Sequence, residues 1–492
     1  MNVSNESVLV AGGGIAGMFT ALALEAKGFS VTLLDKDGPP PDGNQDAFFE
    51  WQRQGAAQFN HPHAFLGLLC NLIKDNYPDL MQRLMDAGAR PMYFEQLIPS
   101  ALLAVYEPEP EDDRIWLLLC RRSTLEVVLR QYVQEKTSIR FINQAKILDI
   151  KTVNRKNNLH IDSLHIELAG EAQDIRADIY IDASGRTSPF PRWFARQGVT
   201  IPEESEDAGL VYYTRYYRLN EGMEEPPRDP TTRAAGDLGY IKYGVFPADD
   251  GYFAVILCVP VEERELIRAV REPEGFQRIA FSIPGITAWL SDGRSRPVTE
   301  SFGIGDIKAV WRKYVTNDCP LFTNYFAVGD AYMRTNPLYG RGCSTSALQA
   351  SLLAEVLRET SDPLRRGLSY EQRNREYLWP IYETSLMDDR NGRRRAQAVL
   401  TGRHRVSGGS AREIVMSAFR DAVSAAARKN LRVVRGALRT FNLVEKPGAF
   451  LKDWLTLLIV LAFLLKGSRK NLRDRMPAGP SREETLRLVS KL

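Results

Sequence analysis

Residues 8–35, VLVAGGGIAGMFTALALEAKGFSVTLLD, decide the fold of this chain. A short apolar run ends in the spacing Gly12-x-Gly14-x-x-Gly17, a segment with helical spacing follows, and a second apolar run ends at Asp35. Gly12 permits a tight turn, Gly14 lets a pyrophosphate approach the backbone, and Gly17 lets helix and strand pack closely. The pattern predicts a strand–helix–strand unit that binds a dinucleotide.

The predicted helix would place its N-terminal amides and positive potential at the phosphates. Asp35 ends the second strand, where it can accept hydrogen bonds from a ribose diol. The cofactor-binding residues predicted in this unit are Gly12, Gly14, Ile15, Ala16, Gly17, Asp35 and Lys36. The fingerprint alone leaves FAD and NAD both open.

Three later motifs carry a family resemblance. Residues 120–126 read CRRSTLE, residues 327–331 read AVGDA, and residues 336–343 read NPLYGRGC. Together with the N-terminal unit they resemble the FAD-dependent monooxygenases of the aromatic hydroxylase type, whose relatives include flavin halogenases and geranylgeranyl reductases. The resemblance spans roughly residues 5–360. It implies an α/β fold with a Rossmann-like FAD-binding domain of the glutathione-reductase type and an antiparallel substrate-domain sheet.

The resemblance also implies cofactor contacts beyond the N-terminal unit. Arg122 would reach the FAD, and Asp330 at a strand end would accept from ribityl hydroxyls. Amides from Gly340 to Cys343 open a helix whose positive end can stabilise negative charge on a reduced flavin. The further cofactor-binding residues predicted on this basis are Arg122, Gly329, Asp330, Pro337, Gly342 and Cys343.

Residues 182–186, DASGR, depart from the family pattern. Aromatic hydroxylases usually read Asp-Gly at this strand end, in an acidic context linked to FAD and NADPH handling. Ser184-Gly185 is more similar to the halogenase and reductase branches, which puts direct reduction by NADPH in doubt. Residues 303–305 read GIG but do not precede a convincing strand–helix–strand unit. We therefore expect NAD(P)H to be a direct or indirect electron donor, with a separate flavin reductase as one route.

The predicted substrate sheet lies at roughly residues 205–300, where aromatic alternating runs are separated by Pro- and Gly-rich loops. The run Val211–Leu219 places Tyr213, Arg215 and Tyr217 on one face and Tyr212, Thr214 and Tyr216 on the other. Either face could cover the flavin.

Residues 61–88 are predicted to be helical, and His61-Pro62-His63 lies just before the helix expected at 64–74, where a histidine could transfer a proton. A structural role at the start of that helix is the alternative. We predict His63 and Arg341 as catalytic candidates.

The composition limits the class of protein. Of 492 residues, 44% are hydrophobic and 25% are charged, which is typical of globular proteins and excludes a disordered chain, a collagen-like repeat and a polytopic membrane protein. The five cysteines form no C-x-x-C pair, and the two nearby histidines make a poor metal pair, so we expect neither a disulfide framework nor a metal site. No signal peptide is recognised, and a reducing cytosol is the expected setting.

The C-terminal part is basic and contains one strongly apolar run. Residues 390–475 carry 20 Lys and Arg against 5 Asp and Glu. Residues 454–465, WLTLLIVLAFLL, would form a helix of about 18 Å, too short for the roughly 30 Å hydrocarbon core. The run is either a core helix or a peripheral anchor on an anionic membrane, whereas a nucleic-acid partner is not expected.

The sequence divides into four regions: the first part of the FAD-binding domain (1–200), the substrate sheet (201–300), the second part of the FAD-binding domain (301–375) and a basic helical region (376–492). The favoured function is hydroxylation or epoxidation of an apolar or aromatic small molecule by dioxygen through a flavin hydroperoxide. Alternatives are a reductase or dehydrogenase of an isoprenoid-type double bond, a flavin-dependent halogenase, and a non-enzymatic escort of lipidated proteins. Absence of the halogenase W-x-W-x-I-P element disfavours chlorination.

Overall fold

A computed structural model describes residues 6–41, 44–56, 58–155, 158–229, 232–291, 293–402, 411–467, 470–471 and 477–490. The strands within these residues are β1 (Ser7–Ala11), β2 (Ser30–Leu34), β3 (Ala64–Phe65), β4 (Arg90–Met92), β5 (Leu117–Leu119), β6 (Arg140–Ile142), β7 (Lys146–Arg155), β8 (Asn158–Leu168), β9 (Glu171–Ile175), β10 (Ile179–Asp182), β11 (Glu203–Asp207), β12 (Leu210–Leu219), β13 (Ala235–Asp237), β14 (Lys242–Pro247), β15 (Tyr252–Pro260), β16 (Ser295–Pro297), β17 (Phe302–Ile304), β18 (Lys308–Arg312), β19 (Val315–Thr316), β20 (Cys319–Pro320), β21 (Tyr325–Ala327) and β22 (Met333–Arg334).

The α-helices of the described residues are α1 (Ile15–Glu25), α2 (Asn44–Glu50), α3 (Gly67–Asn76), α4 (Pro78–Asp86), α5 (Phe94–Leu97), α6 (Arg122–Lys136), α7 (Phe190–Arg196), α8 (Arg264–Arg271), α9 (Pro273–Phe281), α10 (Pro284–Leu290), α11 (Gly342–Glu359), α12 (Pro363–Tyr377), α13 (Trp379–Leu400), α14 (Ala411–Ala427), α15 (Leu431–Phe441), α16 (Trp454–Leu465) and α17 (Arg482–Val489).

The central sheet contains five parallel strands in the order β21-β10-β1-β2-β6. If the five strands are numbered in chain order and the sheet is read from its β6 edge, the order is 3-2-1-4-5, as in doubly wound dinucleotide-binding sheets. Val8, Val10 and Ile181 are buried, as expected for a parallel sheet covered on both faces. The strand order reverses between β1 and β10, and ligands of such sheets bind beyond the carboxyl ends at this point. The predicted strand–helix–strand unit is confirmed.

A second, antiparallel sheet has the order β13-β14-β15-β12-β16, with β17 also paired to β12. It confirms the predicted antiparallel sheet. Every residue of β15 is buried, so both faces of the sheet are covered. Gly303 and Ile304 lie in β17, antiparallel to Tyr212 and Tyr213, and therefore do not begin a second dinucleotide-binding unit.

The single helix predicted over 61–88 is wrong. Ala64 and Phe65 form β3, which pairs with β5, and the first helix begins only at Gly67. That helix ends at Asn76, and Pro78 begins the next one. Proline suits the first position of a helix because it lacks an N–H group, and for the same reason it interrupts a continuous helix.

The C-terminal region is helical, as predicted, but it packs closely on the rest of the chain. Arg435 of α15 lies 3.0 Å from Asp112, and Arg482 of α17 lies 2.5 Å from Glu263. Further basic side chains of the region form ion pairs with carboxylates of the preceding domains: Arg390 with Glu206 and Arg395 with Asp237. Part of the basic excess is therefore neutralised within the protein.

Candidate functional site

Gly12, in the turn between β1 and α1, and Gly17, near the start of α1, leave no room for a side chain. Gly12 has a φ of +119°, and a Cβ there would lie 2.5 Å from the carbonyl oxygen of Ala183 on the β10 side. A Cβ on Gly17 would lie only 1.7 Å from the carbonyl oxygen of Gly12. The backbone thus approaches itself closely at both positions, in keeping with the tight turn and helix packing that the glycine pattern predicts.

Gly14 differs because it borders open space. The nearest atom to a Cβ at this position would be Nη2 of Arg53, at 3.9 Å. Gly14 provides no side-chain cap for α1, so the amides of Ile15 and Ala16 begin the helix in front of this space. A helix N-terminus with unbonded amides stabilises an anion. The cradle fits the pyrophosphate of a dinucleotide.

Asp35 is buried at the end of β2 and is held by two arginines. Its Oδ2 atom accepts from Nη1 of Arg53 at 2.8 Å and from Nη1 of Arg130 at 3.0 Å. Its Oδ1 atom accepts from the backbone amide of Asp37 at 3.2 Å. Lys36 is exposed beside it. The residue predicted to bind a ribose therefore belongs to a buried ion-pair network.

Arg53 is the centre of this network, and the sequence analysis did not single it out. Its guanidinium contacts Asp37 at 2.9 Å, Glu126 at 3.0 Å and the carbonyl oxygen of Gly13 at 3.2 Å. Burial by itself would lower the pKa of Arg53, but the carboxylates of Glu126, Asp35 and Asp37 raise it on balance. A charged guanidinium thus lies beside the phosphate cradle.

Arg122 is the first residue of α6, and its Nε atom lies 2.6 Å from Glu126. Burial lowers the pKa of Arg122, whereas Glu126 and Cys343 raise it, and the net direction is upward. Its positive charge helps to lower the pKa of His63 and partly opposes the rise that burial causes in the pKa of Cys343. These interactions bring the start of α6 near the start of α11 and near the 61–63 segment.

The AVGDA motif, residues 327–331, ends in a 3₁₀ turn, Gly329–Ala331, which directly follows the strand β21 of the central sheet. The amide of Gly329 donates to Oε1 of Gln349 at 2.7 Å, which fixes the turn on α11. Within the described part of the chain, the carboxylate of Asp330 has no hydrogen-bond partner. Burial raises its pKa, and arginines led by Arg334 and Arg122 partly oppose this rise. Asp330 is an acceptor available to a ligand's hydroxyl groups.

The loop that follows is fixed by side chains from distant elements. Nδ2 of Asn336 donates to Oδ1 of Asp389 on α13 at 2.6 Å, and the hydroxyl of Tyr339 donates to the same oxygen at 3.1 Å. The hydroxyl of Tyr212 on β12 donates to Oδ1 of Asn336. Burial raises the pKa of Asp389 to about 6, and its Oδ2 atom has no partner among the described residues.

Arg341, a predicted catalytic residue, is directed towards α13. It donates to the hydroxyl of Ser385, lies 3.3 Å from Asp388 and stacks on the ring of Tyr339 at 4.7 Å. These contacts suit a residue that anchors the loop.

Pro337 begins a 3₁₀ turn, and Gly342 begins α11. Cys343 is half-buried, and its desolvation raises the pKa of its thiol to about 11. The thiol is therefore protonated at neutral pH and is not a ready nucleophile.

The two histidines differ in what they contact. Nδ1 of His61 lies 2.9 Å from Oγ1 of Thr214 on β12, whereas Nδ1 of His63 lies 2.9 Å from the carbonyl oxygen of His61. Because a carbonyl only accepts, Nδ1 of His63 carries the proton and its Nε2 is left as an acceptor. Burial lowers the pKa of His61 to about 4 and that of His63 to about 3, so both rings are neutral at pH 7.

The structure shows which face of β12 lies against the 336–341 loop and the 61–63 segment. Tyr212 and Thr214 contact the 336–341 loop and the 61–63 segment, and Tyr216 packs on Phe48. Tyr217 and its neighbours on the opposite face pack against α8–α10. The apolar residues that accompany Tyr212 and Tyr216 are Phe246, Ala254, Ile256, Phe302, Ile304 and Leu338.

Comparison with known proteins bears on this arrangement. Residues 7–183, which include the β1–α1 turn, Asp35, Arg53 and Arg122, match the family described as FAD dependent oxidoreductase. The protein contains an FAD-dependent oxidoreductase domain. The groups at this site fit the cofactor: the amides at the start of α1 can donate to its phosphates, the carboxylate of Asp330 can accept from its hydroxyl groups, and the N-terminus of α11 can stabilise negative charge.

Solved structures share the fold of the oxidoreductase. The flavin-dependent brominase Bmp2 aligns with a TM-score of 0.60 and 13% identity, over 94% of this chain and 99% of its own. PqsL from Pseudomonas aeruginosa, a probable FAD-dependent monooxygenase, aligns with a TM-score of 0.54 and 16% identity, over 80% and 99%. Protein Rv3254 of Mycobacterium tuberculosis is 21% identical over 420 residues, 78% of this chain and 80% of its own. At these identities, the likeness to the solved structures shows the fold alone.

Proposed function

We propose that the oxidoreductase is a monooxygenase that transfers one atom of dioxygen to an apolar or aromatic small molecule. The observation that carries this proposal is the hydrogen bond from Tyr212 to Asn336. It joins the aromatic face of the antiparallel sheet to the loop that leads into α11, the helix whose start is predicted to stabilise the reduced flavin. A molecule bound on this face would lie beside the flavin, among apolar walls with few polar groups, as is usual for small-molecule sites.

The chain would hold FAD at three places. The amides of Ile15 and Ala16 would bind the pyrophosphate, and Asp330 would accept from the ribityl chain. The start of α11 at Gly342 and Cys343 would stabilise negative charge on the isoalloxazine. Bound and reduced, FAD supplies the electrons that activate dioxygen. These assignments use donors and acceptors that protein contacts leave open.

The neutral histidines suit a site that must exclude water. His61 is tied to Thr214, and His63 offers its Nε2 atom as an acceptor for a proton on the substrate. Because the pKa of His63 is lowered to about 3, its ring would orient a substrate hydroxyl or amine without becoming protonated at neutral pH. The same burial keeps bulk water from the reacting atoms.

Electrons and atoms balance with NAD(P)H as the donor. Two electrons from NAD(P)H and one dioxygen place one oxygen atom in the substrate and release the other as water. The donor would act directly or through a separate flavin reductase. The second route is favoured because Gly303 and Ile304 lie in the antiparallel sheet and because Asp182 is engaged internally, accepting from Ser184, Ser188 and Tyr325.

The alternatives are less well supported. The W-x-W-x-I-P element of halogenases is absent, and Trp311 is buried in the core against Trp379, at 5.0 Å between ring centres, so this tryptophan does not support halogenation at the β12 face. An escort of lipidated proteins gives no reason for the unpartnered carboxylate of Asp330. Reduction of an isoprenoid double bond would use the same apolar face. The two reactions differ in their products, because oxygenation adds an oxygen atom and reduction does not.

The test uses the purified FAD-loaded protein with NADPH, alone or with a flavin reductase, under labelled dioxygen and with panels of aromatic and isoprenoid compounds. Mass spectrometry should find one labelled oxygen atom per product. Tyr212→Phe should lower turnover while FAD stays bound, and Tyr217→Phe, on the opposite face of β12, is the matched control. A saturated isoprenoid formed without oxygen, or a halogenated product with added bromide, would replace the proposal. A protein that takes up no FAD would remove its basis.

A further inference from the structure

Helix α16 has one face inside the protein and one face outside. The inner face is formed by Thr456, Val460 and Phe463, which are buried. Val460 and Phe463 belong to a small core shared with Ala422, Ala425, Ala426 and Val433 of α14 and α15. The core-helix alternative of the sequence analysis is therefore correct for half of the helix, and only for that half.

The outer face of α16 is apolar along its whole length. Trp454 is 65% exposed, Leu458 53%, Leu461 38% and Leu465 89%. These residues follow the spacing i, i+4, i+7 and i+11, so they form one stripe on one side of the helix. Water would not be expected to stabilise such a stripe, and contiguous exposed apolar surface marks an interaction site.

Lysines flank both ends of the stripe. Lys452 precedes α16, Lys466 follows it, and Lys470 lies slightly further on, and all three are exposed. The nearby carboxylate of Asp453 is paired with Arg432 at 3.0 Å. The local charge around the apolar stripe is thus positive, even though some basic residues of the C-terminal region are paired elsewhere in the protein.

We propose that the outer face of α16, defined by Trp454, Leu458, Leu461 and Leu465, docks in the surface of an anionic lipid bilayer. Its 12 residues span about 18 Å, and none of the described helices is long and apolar enough to cross a membrane, so the helix would lie in the plane of the interface. Tryptophan is favoured at this depth because its ring is apolar and its N–H group remains hydrated.

Charge argues against a second copy of the chain as the occupant. In a two-fold dimer the same patch faces itself, so the lysines of one copy would lie near those of the other. Anionic headgroups would instead neutralise them. Docking does not depend on the reaction proposed above, although it would place the enzyme where an apolar substrate concentrates.

The experiment is flotation of the intact FAD-loaded protein with vesicles of phosphatidylcholine alone or mixed with phosphatidylglycerol. The test variant is Leu458→Glu with Leu461→Glu. Its control is Leu364→Glu with Leu368→Glu on α12, which changes the same residue types at similar exposure, 42% and 38%. Deleting the C-terminus is unsuitable because α17 packs on α8 and α9 and Arg482 pairs with Glu263.

Wild type and control should float with anionic vesicles, and the test variant should bind at least about tenfold more weakly while retaining its flavin spectrum. Each Lys→Gln change at Lys452, Lys466 or Lys470 should weaken binding about fivefold at low salt. Equal flotation of the control and the test variant would overturn the proposal, as would no flotation of wild type. A wild-type dimer in solution that the test variant dissociates would instead assign the face to a second copy. None of these outcomes depends on turnover, so each is distinct from failure of the monooxygenase proposal.

Discussion

Two regions of the predicted flavin site are built in opposite ways. The β1–α1 turn is shaped by its own backbone, with Gly12 and Gly17 in contact within six consecutive residues. The loop from Asn336 to Arg341 is held by side chains of β12 and of α13, which lies about fifty residues further along the chain. The shape of the turn can be predicted from the spacing of its glycines. The contacts that hold the loop cannot be predicted in this way, because the side chains that make them lie far apart in the sequence.

The electrostatics of the two regions also differ. Around the turn, the ionised groups Asp35, Arg53 and Glu126 form a buried network in which opposite charges touch. Around the loop, Asp389 accepts from the neutral side chains of Asn336 and Tyr339, and burial raises its pKa to about 6. We expect the turn to lose stability when a charge is removed, and the loop to respond to pH.

The largest expected effect separates two glycines of the same turn. Gly17→Ala puts a Cβ 1.7 Å from a carbonyl oxygen and should prevent folding or cost more than about 4 kcal/mol. Gly14→Val should fold with nearly the Tm of FAD-free wild type, because the space beside Gly14 is open and its backbone is extended, but should not bind FAD. Thermal unfolding and visible absorbance measure the two effects. FAD binding by Gly14→Val at wild-type affinity would show that the cradle does not hold the pyrophosphate.

The second effect concerns the charge network. Arg53→Ala leaves Asp35, Asp37 and Glu126 with fewer opposite charges in a buried setting, which should lower the free energy of unfolding by about 3–5 kcal/mol. The matched control is Arg83→Ala, whose exposed pair with Glu135 should be worth less than about 1 kcal/mol. Urea denaturation of the two variants without FAD compares them directly. Equal losses would mean that the network around the turn is not buried.

What the sequence could predict follows the same division. The glycine spacing predicted the turn, and the alternation of Val211–Leu219 predicted two faces of a strand, because both patterns are local. Arg53 was missed because it lies in a loop with no motif, and its partners are 16 to 73 residues away. Asp389 was missed because α13 reads as part of a basic helix, and only packing shows that this residue faces inward.

The third effect tests the loop through Asp389. Asp389→Ala leaves Nδ2 of Asn336 and the hydroxyl of Tyr339 without their acceptor, at about 1–3 kcal/mol for each buried group left unpaired. Asp389→Asn keeps an oxygen acceptor and should be much milder. Chemical denaturation at neutral pH should rank the variants in that order, and similar losses for both would contradict the proposed role of the acceptor.

The same carboxyl gives a pH prediction. A carboxyl whose pKa rises from 3.8 to about 6 on folding binds more protons in the folded state, so its contribution to stability falls as pH rises from about 4 through 6. Wild type should therefore lose on the order of 2 kcal/mol relative to Asp389→Asn between pH 4 and pH 8. Parallel stability curves for the two proteins would show that Asp389 is not desolvated.

The smallest expected effect tests the contact between the β12 face and the 61–63 segment. Thr214→Val is nearly isosteric and removes the hydroxyl that lies 2.9 Å from Nδ1 of His61, which should cost about 1 kcal/mol. A double-mutant cycle with His61→Ala isolates the pair from the packing changes of each single variant. Measurements at about pH 8 keep the imidazole neutral in both the folded and unfolded states. A coupling energy near 1 kcal/mol would show that this side of the site, like the 336–341 loop, is assembled by side-chain contacts. A coupling energy of zero would mean that the contact between His61 and Thr214 does not hold the 61–63 segment on β12, and that the evidence for assembly by side-chain contacts comes from the 336–341 loop.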